Sequence, residues 1–157
     1  MEGRWGTDRI NKIFGIDRIF RIVDQHFFGG IMKYEDITRA IIACAMKVHS
    51  TLGNGFQEVI YQRCLAIELA RRDISFEREV SMAIRYEGIV VGRRRMDFLV
   101  KNKIMVELKA VYELEGAHLV QGLNYLQAYH LETGLLINFG APRLQFKRLF
   151  NKRLQAK

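Results

Sequence analysis

The stretch Arg94-Arg95-Met96-Asp97-Phe98-Leu99-Val100-Lys101-Asn102-Lys103-Ile104-Met105-Val106-Glu107-Leu108-Lys109 decides how the rest of this 157-residue chain is read. Apolar residues alternate through Met96, Phe98 and Val100, then through Ile104, Val106 and Leu108. That period of two predicts two strands joined by a tight turn at Asn102-Lys103. Side chains on a strand point alternately to opposite faces, so Glu107 and Lys109 share one face while Val106 and Leu108 take the other. Asp97 can lie across the turn from Glu107, on the same side. Two carboxylates and an ammonium on so apolar a strand cost stability unless they are paired or bind something. Oxygen ligands placed this way suit a hard divalent cation, and the lysine can orient or polarise a water beside it. Glu-x-Lys alone discriminates poorly, because most such pairs are solvated salt bridges.

The composition sets the outer bounds. A chain of this length is read as one domain with a real core, 49% apolar and 27% charged, with a single proline. No apolar run approaches the ~20 residues that span a bilayer. The N-terminus lacks the continuous hydrophobic stretch of a signal peptide, so a cytosolic protein with no membrane contact is expected. Cys44 and Cys64 fall on apolar helix faces with no cysteine or histidine at zinc-ligand spacing; they read as buried free thiols. The net charge of +8 favours a polyanionic partner. That excess lies beyond residue 31, with basic clusters at Arg93-Arg94-Arg95, Lys101 to Lys103 and Arg143 to Arg153.

In chain order, residues 1–31 read as an extension that need not belong to the fold. Ile13, Ile16, Phe20, Val23 and Phe27 have helical spacing, and Phe28-Gly29-Gly30 is a stop. Residues 32–157 read as the folded domain. Tyr34 to Thr51 is a helix with the stripe Ile37, Ile41, Cys44 and Val48. Leu52-Gly53-Asn54-Gly55-Phe56 is a glycine turn without the ending of a phosphate-cradling loop. A second helix spans about Gln57 to Arg72, with ridges Ile60–Cys64–Ile67 and Tyr61–Leu65–Leu69. Glu58 in its first turn either complements the helix dipole or adds a third carboxylate to the Asp97/Glu107 pair. Phe76 to Tyr86, the Glu87-Gly88 turn and Ile89-Val90-Val91 form a hairpin leading into the opening stretch. A helix from about Glu115 to His130 carries His118, Gln121 and Tyr125 on one stripe. The apolar run Gly134 to Phe139 reads as a strand covered on both faces, and Leu144 to Phe150 as an edge strand. The sum is a mixed α/β sheet with helices packed on it. His49, His118, Tyr61 and Tyr125 read first as structural side chains.

The ordered set Glu58, Asp97, Glu107-Leu108-Lys109, Gln121 and the following buried strand resembles the PD-(D/E)xK nuclease superfamily. More narrowly, Gly55-Phe56-Gln57-Glu58-Val59-Ile60-Tyr61 is similar to the signature that names its GxxExxY branch, as are His49, Leu52-Gly53, Gln121/Asn124-Tyr125-Leu126 and Gly134 to Gly140. The resemblance covers about residues 34–151, with Met96 standing where the superfamily label has proline. It implies a restriction-endonuclease-like α-β-β-β-α-β core and a metal-dependent phosphodiester hydrolase site. Asp97 and Glu107 would then be metal ligands, with the Leu108 carbonyl adding an oxygen. Lys109 would position the attacking water, Glu58 would complete the site or hold a second metal, and Gln121 would steady the cluster.

All-oxygen ligation suits Mg²⁺ or Mn²⁺ over Zn²⁺. Arg93, Arg94 and Arg95 enter the same strand as Asp97 and can grip phosphates of a nucleic acid, with DNA the expected form. Two other readings compete with the nuclease: a nucleic-acid-binding module without useful catalysis, and a protein-interaction subunit whose charged cluster is a salt-bridge network. A homo-oligomer is neither required nor excluded.

Overall fold

Glu35 and Asp36 open the first helix, where carboxylates meet the positive end of the helix dipole. The computed structural model describes residues 34–155; the extension expected over residues 1–31 lies outside them. Helix α1 (Glu35–Leu52) buries Ile41, Cys44, Ala45 and Val48 and stops at Gly53, whose φ of 70° favours glycine. Helix α2 (Glu58–Arg71) buries Tyr61, Leu65 and Leu69. Of the two ridges expected on α2, only this one reaches the core: Ile67 on the other is 51% exposed, and Ile60 and Cys64 are half-buried. The two cysteines are free thiols, and burial pushes Cys44 up.

Strands β1 (Phe76–Tyr86), β2 (Ile89–Val100) and β3 (Ile104–Lys109) follow as a meander. Helix α3 (Gly116–Ala128) then crosses over to β4 (Thr133–Asn138), which pairs parallel with β3, and β5 (Gln145–Phe150) closes the sheet antiparallel to β4. A short helix α4 (Lys152–Gln155) ends the described chain. The five strands lie in sequence order, β1-β2-β3-β4-β5, giving the mixed α/β, restriction-endonuclease-like architecture. The β2–β3 turn centres on Lys101 and Asn102, both at positive φ, one residue earlier than the sequence suggested. Among the described residues no helix is long and apolar enough to cross a membrane.

The sheet separates two apolar layers. Phe98, Val100, Ile104, Val106, Leu108, Leu135 and Ile137 pack with α1 and α2. Met96, Met105, Leu136 and Leu149 pack with Leu119 and Leu126 of α3. Central strands covered on both faces need no alternation with polar residues, and every residue of β4 is buried accordingly.

One expectation fails here. Met96 does not share a face with Phe98 and Val100: it packs under α3 while they pack under α1 and α2. The β1–β2 ladder runs Arg78↔Phe98 and then Val80↔Met96, with no bridge at the intervening Glu79/Asp97 rung, where Glu79 has φ 55°. Arg78 reaches Gln62 on α2, whereas Val80 packs in the α3 cluster. Both strands therefore exchange faces at the same rung, and Asp97 sits at the exchange.

Candidate metal centre

The face exchange frees Asp97 from regular pairing and turns its carboxyl into a ligand for the sheet itself. Regular β2–β3 pairing extends only from Val100↔Ile104 to Phe98↔Val106. Beyond it the Leu108 N–H finds no carbonyl and donates instead to Asp97 Oδ2 at 2.8 Å. Gln62 on α2 donates to Asp97 Oδ1 at 3.0 Å, and its own carbonyl accepts from Arg78 at 2.9 Å. Both bonds favour the charged carboxylate and the nearby Lys109 adds to them, but burial dominates and holds Asp97 above the usual range.

Glu107 is buried on the α3 side of the sheet, 7% exposed. The Asp97 main-chain N–H lies close enough to favour its charged form, while Oε1 has no hydrogen-bond partner. Burial first, then the charges of Asp97 and Glu58, push Glu107 from 4.5 up to about 8 against the pull of Lys109. Glu58 is an exposed residue at the start of α2; partial burial of its carboxyl and then Asp97 raise it, and Lys109 opposes them. Glu58, Asp97, Glu107 and Lys109 thus lie within electrostatic reach of one another.

The fifth expected member is not joined to them in this way. Gln121 is half-buried on α3 and makes no hydrogen bond to the four. His118 nearby has a capping task, its Nδ1 accepting from the Glu115 N–H at 2.9 Å. Arg93, Arg94 and Arg95 are exposed on β2; Arg95 lies 3.7 Å from Glu79, and Arg94 sits over the Tyr125 ring at 5.9 Å.

Two partners escaped the sequence reading. Gln62 is the amide that touches Asp97, and its signal was available: it follows Glu58 by four residues, on the same helix face. Tyr129, just past α3, is buried with its hydroxyl unpartnered, and burial together with Glu107 pushes it up to about 12. No spacing rule pointed to it.

A cation fits the residues present. Glu107 Oε1 is an orphaned, buried acceptor, and each Asp97 oxygen has a lone pair left after its one hydrogen bond. All the donors are oxygens, as Mg²⁺ or Mn²⁺ requires. Among the described residues no group of three or more carboxylate, histidine or cysteine side chains is assembled to hold an ion. The side-chain donors that fit are therefore Asp97 and Glu107, with Glu58 at the rim.

The loop before Glu58 explains the glycine signature. The Tyr61 hydroxyl donates to the Gly53 carbonyl at 2.7 Å and accepts from the Phe56 N–H at 3.2 Å, while its ring stacks on Phe139 at 4.7 Å. Gly55, at φ 108°, makes the bend possible. His49 reaches the Ala141 carbonyl at 2.9 Å and Asn54 the Gly140 carbonyl at 3.3 Å. Buried Asn138 accepts from the Val111 and Gly140 N–H groups and donates to Gln145 and the Val111 carbonyl. Helix α2, the β3 exit and the β4 exit are thereby tied together, which fixes where Glu58 and Lys109 stand.

Comparison with known proteins follows the same elements. No curated protein sequence matches the chain. A solved structure titled "Crystal structure of SSO0001" is similar at a TM-score of 0.47 and 16% identity, over 88% of this chain and 76% of that one. The family model for the PD-(D/E)XK nuclease superfamily matches residues 35–149. That match runs from the first turn of α1 into β5, through every element that carries the cluster, and the chain belongs to the PD-(D/E)XK nuclease superfamily.

Proposed function

We propose that this protein is a metal-dependent phosphodiester hydrolase acting on nucleic acid, DNA in the first instance, and that within its superfamily it falls in the GxxExxY branch. The observation that carries the reading is the Glu107 carboxyl, buried without a partner for Oε1 between Asp97 and Lys109. A structural salt bridge satisfies its acceptors; this one leaves an oxygen free and crowds it with like charge. Bound Mg²⁺ or Mn²⁺ would supply the missing positive charge and polarise a phosphoryl oxygen.

The chain's own residues do the rest. Asp97 and Glu107, with the Leu108 main-chain oxygen, would hold the ion. The Lys109 ammonium, next along β3 on the Glu107 face, orients a water and stabilises negative charge as it develops on phosphorus-bound oxygens. Gln62 and the Leu108 N–H fix the Asp97 carboxylate so that it need not reorganise during reaction. Glu58 closes the rim, and Arg93, Arg94 and Arg95 bind phosphates alongside. Residues 32–157 constitute the working domain in the cytosol, with residues 1–31 dispensable for it.

The test is calorimetric titration of Mg²⁺ and Mn²⁺ into wild type and Asp97→Asn, alongside cleavage of single-stranded, duplex and branched DNA and of RNA. Binding weakened by Asp97→Asn, with cleavage abolished by Glu107→Ala and by Lys109→Ala, is expected. One alternative is a binding module that keeps the fold without cutting. Metal-independent, salt-sensitive binding with no cleavage would establish that alternative.

A further inference from the structure

Outward of Met96 and Met82, which still pack in the α3 cluster, the hairpin leaves the body of the domain. Among the described residues β2 pairs with β3 only through Phe98, and residues 89–97 of β2 have β1 as their one neighbouring strand. From Ser81 to Arg95 no residue on either strand is buried. At ~3.4 Å per residue, the arm from Asp97 to Ile89 is about 27 Å long. Its tip is a two-residue turn, Glu87-Gly88, with both residues at positive φ, the geometry that matches strand twist and holds a hairpin tip rigid.

The register divides the arm into two unlike faces. Ser81, Ala83 and Arg85 stand opposite Arg95, Arg93 and Val90. Met82, Ile84 and Tyr86 stand opposite Arg94, Gly92 and Ile89 on the other side. One face is thus basic, the other apolar with Arg94 at its base. The apolar surface is most open at the tip, where Tyr86 is 67% and Ile89 69% exposed, and the unpaired Val91 at the neighbouring bulge is 62% exposed. A free end carrying three large apolar side chains needs a cover.

We propose that the arm is a wedge for nucleic acid at a junction between paired and unpaired strands, its tip stacking on bases and its arginine face gripping phosphates. The proposal rests on the nuclease reading and narrows its substrate to a forked or branched form. Charge decides the occupant. Between Ser81 and Arg95 the arm holds four arginines against Glu87 alone, so a second copy seated there would set like charges together. Nucleic acid offers both complementary surfaces, anionic phosphates and the apolar faces of unpaired bases. The arm also continues the strand that carries Asp97. At ~3.4 Å per nucleotide, its tip would engage a base about eight steps from the scissile phosphate.

The experiment measures binding of the full chain in EDTA to a forked duplex and to a blunt duplex of equal length, with 2-aminopurine at the fork. Wild type should prefer the fork about tenfold, and Tyr86→Ser/Ile89→Ser should lose that preference while keeping its duplex affinity. Tyr86→Trp should retain it. Arg85→Ala/Arg93→Ala should weaken both complexes and reduce the salt slope by about two. Equal wild-type affinity for the two substrates, a fork preference unchanged in the serine variant, or no nucleic-acid binding at all would overturn the wedge. So would a wild-type dimer that the serine variant converts to monomer, which would assign the tip to a second copy. Fork preference without metal-dependent cleavage would leave the wedge standing and remove the nuclease reading; indiscriminate cleavage by wild type and serine variant alike would do the reverse.

Discussion

Replacing Glu107 by glutamine should make the metal-free protein more stable in alkaline buffer, at the cost of its activity. Glu107 titrates near 8 in the fold against 4.5 ordinarily. Between those values the folded state holds a proton that the unfolded chain has released, so stability falls as pH rises through the window. The stability is fully present below about 4.5 and lost by the time pH passes about 8. At 1.36 kcal/mol per pKa unit the whole displacement amounts to about 5 kcal/mol, an upper figure because side chains relax and water enters. About 3 kcal/mol is a reasonable expectation, or roughly 6–12 °C in Tm for a chain of this size. Glutamine keeps the shape and cannot ionise. Thermal melts of both proteins in EDTA at pH 5 and pH 9 should agree at the lower pH and diverge at the higher, with Glu107→Gln melting later. Saturating Mg²⁺ at pH 9 should raise wild type and leave the variant unmoved. Parallel loss of Tm in the two proteins between pH 5 and pH 9 would refute the assignment of that instability to Glu107.

Asp97→Ala leaves the Leu108 N–H and the Gln62 amide without their acceptor and should cost about 2–4 kcal/mol in urea unfolding, whereas Asp97→Asn keeps an acceptor oxygen and should cost about 1. Tyr61→Phe loses the hydroxyl that joins Gly53 to Phe56; about 1–2 kcal/mol of stability should go, and cleavage should fall further than that implies, because the loop aims Glu58. Gly140→Ala would drive a methyl into the main chain of Ala110 and Val111, and a loss above about 3 kcal/mol, seen as poor soluble yield, is expected.

The sequence was most legible where periodicity is strong. The alternation through Ile104, Val106 and Leu108 placed β3 and its faces correctly, and the helical stripe Ile41–Cys44–Val48 placed α1. It was least legible at Asp97. Apolar residues on both sides of that position allowed an unbroken alternation, and the exchange of faces depends on an unbridged rung with positive φ at Glu79, a residue type that carries no such signal. The choice between the two α2 ridges was likewise beyond the sequence: both are apolar, and only packing against Phe139 and the sheet selects Tyr61, Leu65 and Leu69. Four of the polar positions named from their order along the chain influence one another electrostatically, but Gln62, which donates to Asp97 from thirty-five residues away, and Tyr129, which lies near Glu107, come from long-range packing that spacing alone does not encode.

The Glu79/Asp97 rung also acts as a phase shift between two halves of one ribbon. Inboard of it, side-chain parity is dictated by the interior; outboard, the same odd and even positions answer to the opposite side. Beyond Met82 and Arg94, which still touch the α3 layer, composition is freed from the interior, so ribbons of different length or chemistry could be grafted there while the packing beneath and the place of Asp97 are kept.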